Sequence, residues 1–373
     1  MSEPTSEPVR VALAGTGNIA RIHAEALRGL GGRVELVAGV DVDAALARSF
    51  CAKHGIPHAG TDLAGAIAAT RPDLVHVCTP PGAHLDAART ALAGGAHVLV
   101  EKPPARSLRE LDDLATAAVA SGRDVATVFQ HRFGSGAHRL RELLDAGILG
   151  RPLLAVCHTT WFRAQDYFDV PWRGRWDTEG GGPTMGHGIH QMDLLLAILG
   201  DWTSVSAVAR RQARAVDTED VSLAHVSFAG GAVASVVNSV VSPREESYLR
   251  FDFERATIEL THLYGYGDAS WRVTPAPGHE EAVLGAWDGG ARGVASGHRA
   301  QFAAVLDALA GGVPLPVSLP EAGRTLRLVA AVYAAAFTGR PVAPDDLGPG
   351  SPFYERMQGG GPPWPAGRPQ EVA

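Results

Sequence analysis

The first third of the chain alternates between short apolar segments and segments with helical periodicity, and this alternation constrains the fold most. Apolar, β-branched runs predict strands, and apolar residues three or four positions apart predict the helices between them. The predicted strands cover residues 9–15, 34–41, 74–78, 96–100 and 124–129, and the predicted helices cover 18–30, 44–54, 84–93 and 108–121. Such alternation gives right-handed βαβ units, so we expect an α/β domain with a parallel sheet buried on both faces.

After about residue 150 the pattern changes to one helix and a series of strands. The helix is predicted at 189–199, and the strands at 205–210, 223–228, 232–241, 248–253 and 257–260. The segment "AGGA" at 229–232 is a hairpin signal between two of these strands. We therefore expect an α+β domain with an open, mostly antiparallel sheet and a helix on one face. Two further helices are predicted at 298–309 and 321–337.

Composition and charge exclude several classes of function. The net charge of −7 comes with no basic run, which argues against a nucleic-acid partner. Three widely spaced cysteines favour a reducing compartment and exclude a disulfide framework or a cysteine metal site. The polar N-terminus lacks the apolar core of a signal peptide, and no apolar run reaches the roughly 20 residues of a membrane span. We expect a cytoplasmic protein.

The segment "GTGNIA", Gly15 to Ala20, follows a predicted strand and opens a predicted helix. In this G-x-G-x-x-A pattern, Gly15 permits a tight turn and Gly17 lets the backbone approach a pyrophosphate. Ala20 lets helix and strand pack closely, and the helix N-terminus faces the phosphates. The pattern predicts a dinucleotide site, although a purely structural turn remains the alternative.

Asp41 ends the next predicted strand, about 20 residues further on, where a carboxylate binds the ribose hydroxyls of an adenosine. An exposed acid at a strand end is the alternative interpretation. No arginine follows Asp41 directly, so a 2′-phosphate would meet only negative charge. The sequence therefore favours NAD over NADP as the cofactor.

The segment "HVLVEKPPA" places Glu101 and Lys102 after a predicted strand, followed by Pro103. Ligands bind outside the carboxyl ends of the strands in parallel sheets, so this pair is a candidate for the site. A solvated Lys–Glu pair is the alternative when the segment is considered alone.

Taken together, five motifs make the chain similar to the Gfo/Idh/MocA oxidoreductases, the family of glucose–fructose oxidoreductase and inositol dehydrogenase. They are "GTGNIA", "CTPPGAH" at 78–84, "EKPPA", "GGGPTMGHGIHQMD" and the late "AFTGRPV" at 336–342. The resemblance covers residues 9–342 in the family's order and spacing. It implies an N-terminal Rossmann domain and a C-terminal domain whose open sheet often forms a dimer or tetramer interface.

The resemblance divides the chain and assigns the cofactor site. Composition predicts a disordered tail at 1–8 and a Gly/Pro-rich surface tail at 347–373. Between them, the resemblance implies the Rossmann domain at 9–130 and a substrate-binding and oligomerisation domain at 131–346. It also implies that the peptide bond before Pro103 is cis. The expected cofactor-binding residues are Gly15, Thr16, Gly17, Asn18, Ile19, Asp41, Thr79, Pro80, Pro81, His84, Glu101, Lys102, Gln130 and Arg132.

In the family, the lysine of "EKP" and a histidine after the glycine run flank the reacting carbinol. Lys102 and His190 match these two positions. An alcohol is a weak acid, so oxidation needs a base within hydrogen-bond reach, and a nearby ammonium steadies the developing alkoxide. The resemblance implies that His190 is the acid/base and that Lys102 polarises the reacting oxygen. The alternative for His190 is a histidine that only packs beside the sheet.

The chain departs from the family at Gly186. Most members carry an aspartate four residues before this histidine, whereas this sequence reads Gly-His-Gly-Ile-His from 186 to 190. A glycine offers no side chain, so the usual carboxylate is absent. His187, a substrate group or water could take over part of this role, and Asp193 fits a structural role better than a catalytic one.

The segment 161–176, "WFRAQDYFDVPWRGRW", is rich in aromatic residues and arginines. Aromatic faces stack on sugar rings and guanidinium groups bind hydroxyls or carboxylates, so Arg163, Tyr167, Trp172 and His187 are candidates for substrate binding, together with His190. A packed loop that covers the sheet is the alternative. The sequence has neither an H-E-x-x-H metal pattern nor a G-x-S-x-G elbow, so we expect no metal site and no serine nucleophile.

These observations favour an NAD-dependent dehydrogenase that interconverts a secondary alcohol and a ketone on a sugar, glycoside or cyclitol. Two alternatives stay open. An enzyme with tightly bound NAD could oxidise a sugar transiently to allow elimination, hydrolysis or epimerisation. A non-catalytic cofactor or sugar sensor would need neither Lys102 nor His190.

Overall fold

The computed structural model describes residues 7–365, which divide into two compact units. The first unit comprises the chain up to Ala105, Glu110–Val128 and His298–Ala322, and the second comprises Arg106–Arg109, Phe129–Gly297 and the chain from Gly323 onward. Residues 1–6 of the predicted N-terminal tail and residues 366–373 lie outside the described part.

Six short strands and five helices form the first unit up to Val128. The strands are β1 (Val9–Ala14), β2 (Val34–Val40), β3 (His58–Gly60), β4 (Leu74–Val77), β5 (His97–Val100) and β6 (Val125–Thr127). The helices are α1 (Asn18–Arg28), α2 (Ala44–His54), α3 (Leu63–Thr70), α4 (His84–Ala93) and α5 (Leu108–Ser121), with 3-10 turns at Gly31–Arg33 and Pro81–Ala83. The sequence missed only β3 and α3 here, both of which are short.

The six strands form one parallel sheet in the order β3-β2-β1-β4-β5-β6. The central strands are apolar along their length because both faces of the sheet are covered, and β4 and the last four residues of β1 are buried throughout. The chain reverses strand order at β1, and the predicted glycine-rich turn leaves the carboxyl end of this strand. The α/β expectation for this unit is confirmed.

The second unit begins with helices and continues as strands. Its elements up to residue 297 are α6 (Ser135–Asp145), β7 (Pro152–Phe162), α7 (Pro183–Gly186), α8 (Ile189–Leu199), β8 (Trp202–Arg210), β9 (Val221–Phe228), β10 (Val233–Ser239), β11 (Val241–Phe253), β12 (Ala256–His262), β13 (Trp271–Pro275) and α9 (Glu280–Gly289). Single 3-10 turns lie at Gln130–Phe133, Gln165–Phe168 and Asp268–Ser270.

The seven strands form a mixed sheet in the order β13-β12-β11-β7-β10-β9-β8, in which only the β7–β10 pair is parallel. This confirms the open, mostly antiparallel sheet. The hairpin at 229–232 is also confirmed, since Val233 pairs with Ser227 and Gly231 has φ +89°. The sequence missed the central strand β7, whose alternation is diluted by His158 and the two threonines that follow it.

The last helices are α10 (His298–Gly311), α11 (Leu319–Thr338) and α12 (Pro352–Glu355), with a 3-10 turn at Pro344–Leu347. The sequence assigns α10 to the second domain, but in the structure it belongs to the first unit. Phe302 and Val305 of α10 are buried in a cluster with Val11, Leu27 and Leu74. The helix completes the apolar cover on one face of the parallel sheet, which the chain order does not reveal.

The predicted surface tail after residue 346 is wrong for its described part. Leu347, Phe353 and Met357 are all buried. Trp364 donates its Nε1–H to the carbonyl oxygen of Asp217 at 3.0 Å, which ties the segment to the second unit. Apolar side chains spaced among the glycines and prolines therefore anchor this segment.

One face of the mixed sheet is covered and the other is partly open. Along β7, residues Ala155, Cys157 and Thr159 are buried, whereas their neighbours on the opposite face are only half-buried or exposed. Helix α8 packs on the strand pair β7–β11.

Among the described residues, no helix has the length and apolar character needed to cross a bilayer.

Candidate active site

The glycine-rich turn after β1 has the geometry of a phosphate cradle. Gly15 has φ +88°, and a Cβ at this position would lie 2.7 Å from the carbonyl oxygen of Cys78, so only glycine fits. Gly17 is the N-cap of α1, where no side chain caps the helix and a Cβ would meet nothing within 4 Å. Exposed Asn18 and half-buried Ile19 form the first turn of this helix. The open N-terminus can receive the pyrophosphate of a dinucleotide.

The carboxylate of Asp41 holds this turn. Its Oδ2 accepts hydrogen bonds from the amide N of Thr16 at 2.7 Å and from the Thr16 hydroxyl at 3.0 Å. Its Oδ1 accepts one from the amide N of Asp43 at 3.1 Å. A carboxylate has about four acceptor positions, so capacity remains for a ribose hydroxyl. The exposed Val42 and Asp43 add no positive charge that would favour a 2′-phosphate.

Two of the predicted residues in the loop after β4 have different environments. The Thr79 hydroxyl is buried without a hydrogen-bond partner among the described residues, as a ligand-binding group would be before its ligand arrives. His84 instead lies 2.8 Å from the Pro103 carbonyl oxygen through Nδ1 and 2.9 Å from that of Thr79 through Nε2. His84 therefore connects two loops of the site, with Pro80 exposed and Pro81 buried between them.

Glu101 is buried at the end of β5 and is bound by two histidines of the same unit. Its Oε1 lies 2.9 Å from His23 Nε2 and 3.5 Å from His298 Nε2. Its Oε2 accepts a hydrogen bond from the amide N of Lys102 at 3.1 Å. Burial raises the pKa of the Glu101 carboxyl, but the hydrogen bonds from both histidines outweigh this and hold it well below its usual value. The peptide bond from Lys102 to Pro103 is cis, as predicted.

The histidines beside Glu101 extend into a buried network that the sequence did not reveal. His23 Nδ1 lies 2.9 Å from His76 Nδ1 and 3.3 Å from Cys78 Sγ. Burial lowers the pKa of His23, and burial with the charge of His23 holds the pKa of His76 well below its usual value. A histidine inside the apolar strand β4 was the available signal, since a polar residue there must find a partner.

His23, Glu101 and His298 also form the one group of the described residues with the spacing of metal ligands. Ligand atoms around one zinc ion lie about 3.3 Å apart, which follows from metal–ligand distances of about 2.0–2.1 Å in a tetrahedral site. The 2.9 Å separation of His23 and Glu101 is instead that of a direct hydrogen bond. We therefore interpret the group as a hydrogen-bonded network that fixes the residue before Lys102.

In the second unit, His190 lies in the first turn of α8 and is 9% exposed. Its ring centroid lies 5.1 Å from that of His131 and 6.1 Å from that of Phe129, with the Phe129 ring perpendicular. The His262 ring centroid lies 5.0 Å from that of His131. Burial and His131 lower the pKa of His262 to about 3, so His262 is neutral near pH 7. His190 thus sits in a buried aromatic environment on a rigid helix.

The aromatic and basic segment 161–176 gathers beside His187. The Tyr167 hydroxyl lies 3.2 Å from His187 Nε2, and the Trp161 ring is 5.1 Å from the His187 ring. The Arg163 guanidinium lies 4.9 Å from the Trp161 ring, and that of Arg173 lies 3.8 Å from the Tyr167 ring. A partly exposed surface of rings and guanidinium groups results, which suits a polyhydroxylated ligand.

The remaining predicted residue of the loop, Trp172, is half-buried, and its ring lies 4.7 Å from the Arg173 guanidinium. Arg163 is committed to Glu245, whose Oε1 accepts a hydrogen bond from its Nη1 at 2.8 Å. Of the predicted substrate-binding residues, the structure therefore brings Tyr167 and His187 into direct contact and gives Arg163 a second, structural partner.

Arg132 and Asp193 form a buried bidentate ion pair. The Arg132 Nε and Nη2 groups each donate to a carboxylate oxygen of Asp193 at 2.6 Å, and the Thr325 hydroxyl adds a bond of 3.0 Å. Such a pair fixes geometry more than it binds a cofactor, which gives both residues a structural role. Gln130 differs, because its side-chain oxygen is buried and lacks a hydrogen-bond partner among the described residues.

Comparisons with known proteins agree with this geometry. Residues 9–129 match the oxidoreductase family with an NAD-binding Rossmann fold, and residues 137–262 match the GFO/IDH/MocA C-terminal domain. The chain is 29% identical over 289 residues to D-glucoside 3-dehydrogenase of Escherichia coli K12, covering 70% of this chain and 80% of that protein. It is 30% identical over 259 residues to a putative UDP-kanosamine synthase oxidoreductase subunit of Amycolatopsis mediterranei, covering 62% of this chain and 69% of that protein.

A solved structure shows the same fold. The WlbA dehydrogenase from Bordetella pertussis, in complex with NADH and UDP-GlcNAcA, superposes with a TM-score of 0.80 at 24% identity, covering 90% of this chain and 98% of that one. Because the match covers 90% of this chain, it includes residues of both the parallel sheet and the mixed sheet. With both family domains matched in order, the protein belongs to the Gfo/Idh/MocA family of NAD-binding oxidoreductases.

Proposed function

We propose that the protein is an NAD-dependent dehydrogenase that interconverts a secondary alcohol and a ketone on a sugar, glycoside or cyclitol. The observation that carries this proposal is the position of His190. This buried histidine lies in the first turn of helix α8, within the part of the chain that matches the GFO/IDH/MocA C-terminal domain. A helix-borne side chain can be held within a few tenths of an ångström of a productive geometry. The glucoside dehydrogenase of Escherichia coli supports the choice of substrate class.

His190 takes the proton of the substrate hydroxyl in this proposal. When bound, NAD⁺ accepts the hydride from the same carbon, so a ketone, NADH and one proton result. An imidazole has its ordinary pKa near neutrality and is well matched to this transfer. In the reverse direction the protonated imidazole returns the proton to the ketone oxygen as hydride arrives.

Lys102 polarises the reacting oxygen with its ammonium group. Its backbone is held by the amide contact with Glu101, which His23 and His298 fix in turn. Preorganised charge of this kind stabilises a developing alkoxide more than mobile solvent does.

The polar and aromatic segment around Tyr167 supplies the substrate surface. Rings offer faces to the C–H side of a sugar, and the Tyr167 hydroxyl next to His187 offers a donor and acceptor pair. Arg173 and half-buried Trp172 extend this surface. We assign sugar recognition to this segment and the proton transfer to His190.

The open face of the mixed sheet is the proposed contact between copies of the chain. Leu154 and Val233 pair across β7 and β10, Val208 and Leu223 pair across β8 and β9, and each is 43–49% exposed. Several exposed apolar side chains on one sheet face are typical of a protein interface. We propose a homodimer or homotetramer through this face, in the cytoplasm.

The test is nicotinamide absorbance with purified protein, NAD or NADP, and a panel of aldoses, glycosides and cyclitols. We expect NADH to form with one substrate class, and to form much more slowly with NADP. His190→Ala should reduce turnover by about 10²–10⁴-fold while leaving the Kd for NAD unchanged. The matched control is the exposed His138→Ala on α6, which should behave like the native enzyme. Unchanged turnover in His190→Ala would remove the acid/base assignment.

A further inference from the structure

The structure places the carboxylate of Glu179 beside Gly186, which has no side chain. A Cβ built on Gly186 would have one neighbour within 4 Å among the described residues, Glu179 Oε1, at 3.4 Å. A longer side chain from residue 186 would therefore project toward this oxygen. Glu179 is 7% exposed, so its charge acts in a poorly solvated environment.

Glu179 is held in place by the loop that precedes it. Its Oε2 accepts a hydrogen bond from the amide N of Gly174 at 2.6 Å, and its own amide N donates to the Arg175 carbonyl oxygen at 3.0 Å. Gly174 has φ +67°, and a Cβ there would lie 2.6 Å from a methyl carbon of Val216. The loop thus requires glycine at position 174. The amide of Gly174 binds Oε2 of Glu179, and Oε1 lies beside Gly186.

The turn between α7 and α8 fixes residue 186 relative to His190. The amide N of Gly186 donates to the Gly182 carbonyl oxygen at 2.8 Å, and that of Gly188 donates to the Pro183 carbonyl oxygen at 2.7 Å. Helix α8 then starts at Ile189, with His190 in its first turn. A carboxylate beside residue 186 is consequently held at a defined place near the start of the helix that carries the histidine.

An aspartate at residue 186 would be incompatible with Glu179 as it stands. Two carboxylates in contact in a buried site repel each other, and one of them would have to be protonated. The glycine at 186 and the glutamate at 179 therefore compensate for each other in charge and in volume.

We propose that Glu179 is a positioning residue for His190, and that its carboxylate takes the place of the side chain that residue 186 lacks. This inference rests on the acid/base role proposed for His190. A carboxylate near a catalytic imidazole selects its tautomer and stabilises the imidazolium that forms when it takes a proton. Glu179 does not touch the substrate in this scheme and acts only through His190.

The competing explanation is that the buried charge of Glu179 serves only its charged neighbour, Arg173. Arg173 is electrostatically coupled to Glu179, and burial, which outweighs this coupling, lowers the pKa of its guanidinium. His131 is the ring beside His190, and His187 contacts Tyr167. If Glu179 served only as the counter-ion of Arg173, its removal would destabilise the loop and leave His190 as it is.

The first test reads His190 directly and needs no substrate. The chain has 15 histidines, so the His190 signal in histidine-labelled protein is assigned by its loss in His190→Ala, and its pKa is followed by NMR titration. Glu179→Gln keeps the size of the side chain and removes its charge. We expect it to lower the pKa of His190 by about 1, because an imidazolium loses a stabilising negative charge. An unchanged titration would overturn the proposal.

The second test uses kinetics and a rescue. With a substrate in hand, Glu179→Gln should lower kcat on the order of 10²-fold with little change in KM, and should shift the acidic limb of the pH profile with the pKa of His190. Gly186→Asp in the Glu179→Ala background returns a carboxylate to the vacated space and should recover at least about 10-fold of the rate. Gly186→Asp alone should be slower than the native enzyme.

Glu254→Gln is the matched control, since the Glu254 carboxylate also accepts a hydrogen bond from a backbone amide, that of Arg151, at 3.0 Å. Its other oxygen accepts one from Arg151 Nε at 2.8 Å. We expect this variant to keep the His190 titration and pH profile. If His190→Ala abolishes turnover while Glu179 variants retain both profiles, only the positioning role fails. If His190→Ala is fully active, the proposed function itself fails.

Discussion

Glu101 and Glu179 are both buried carboxylates, but they reach their positions in different ways. Glu101 directly precedes Lys102 in the chain, and His23 and His298 of the first unit bind its carboxylate. Glu179 is separated from Gly186 in the chain, and one backbone amide of a glycine-containing loop holds it beside that residue. Glu101 is therefore placed by its position in a sequence motif, whereas Glu179 is placed by the folding of a loop.

This difference has a functional consequence. In the proposed arrangement, a carboxylate held by a loop serves the histidine in place of a side chain from residue 186. The absent side chain at residue 186 therefore does not imply an inactive site. The carboxylate that replaces this side chain can come from a residue elsewhere in the same unit.

The largest effect should follow removal of the charge at Glu101. Glu101→Gln leaves the buried His23 and His298 without their anionic partner, so we expect a loss of about 3 kcal/mol in the free energy of unfolding, measured by urea denaturation. The matched control is Glu35→Gln, since Glu35 forms an exposed pair with Arg10 at 2.8 Å and should contribute at most about 1 kcal/mol. Equal losses in both variants would show that the histidine network does not depend on charge.

Asp41 provides a third carboxylate, which is placed by the motif and which we propose binds the ribose of the cofactor. Asp41→Ala removes the ribose partner and the anchor of Thr16, so the Kd for NAD should rise about 10–100-fold. The affinity for NADP should change less, because the negative charge that opposes a 2′-phosphate is lost at the same time. Calorimetric titration measures both, and Asp43→Asn is the control because it keeps the helix cap. Equal native affinities for NAD and NADP would refute the cofactor preference.

The smallest effect at neutral pH concerns the half-buried His262 of the second unit. The pKa of His262 falls from its ordinary 6.5 to about 3 in the folded chain, so its neutral form is favoured by folding. Its contribution to stability is complete above pH 6.5 and is lost at about 1.4 kcal/mol per pH unit as the pH falls through the window from 6.5 to 3. His262→Gln should therefore flatten the pH dependence of the unfolding free energy between pH 7 and 5. The exposed His138→Gln on α6 should leave the native slope, and an equally steep slope in His262→Gln would contradict the shift.

Local patterns were sufficient to predict the parallel sheet and its cofactor turn. Strands buried on both faces are continuous apolar runs, and Gly15 is required by a backbone conformation that only glycine adopts easily. The helix α8 with His190 follows from its apolar run. These features depend on interactions between neighbours in the chain, which a sequence displays directly.

The features that were missed depend on contacts between distant segments. Helix α10 joins the first unit because its apolar face fits the sheet, although it follows the whole second sheet in the chain. His23, His76 and His298 come from three separate elements and meet only after folding. Glu179 is a loop acid in the sequence, and nothing in its neighbours indicates that a fold around Gly174 will bury it beside Gly186.

The most direct test of the account follows the hydride itself. A substrate found in the absorbance screen is prepared with deuterium at the carbon that is oxidised, and the cofactor and sugar products are analysed by mass spectrometry after one turnover. We predict that deuterium appears on the nicotinamide ring, that a ketone forms in equal amount, and that His190→Ala abolishes both. Deuterium that stays in the sugar product, with no label in released cofactor, would contradict a dehydrogenase and indicate transient oxidation instead.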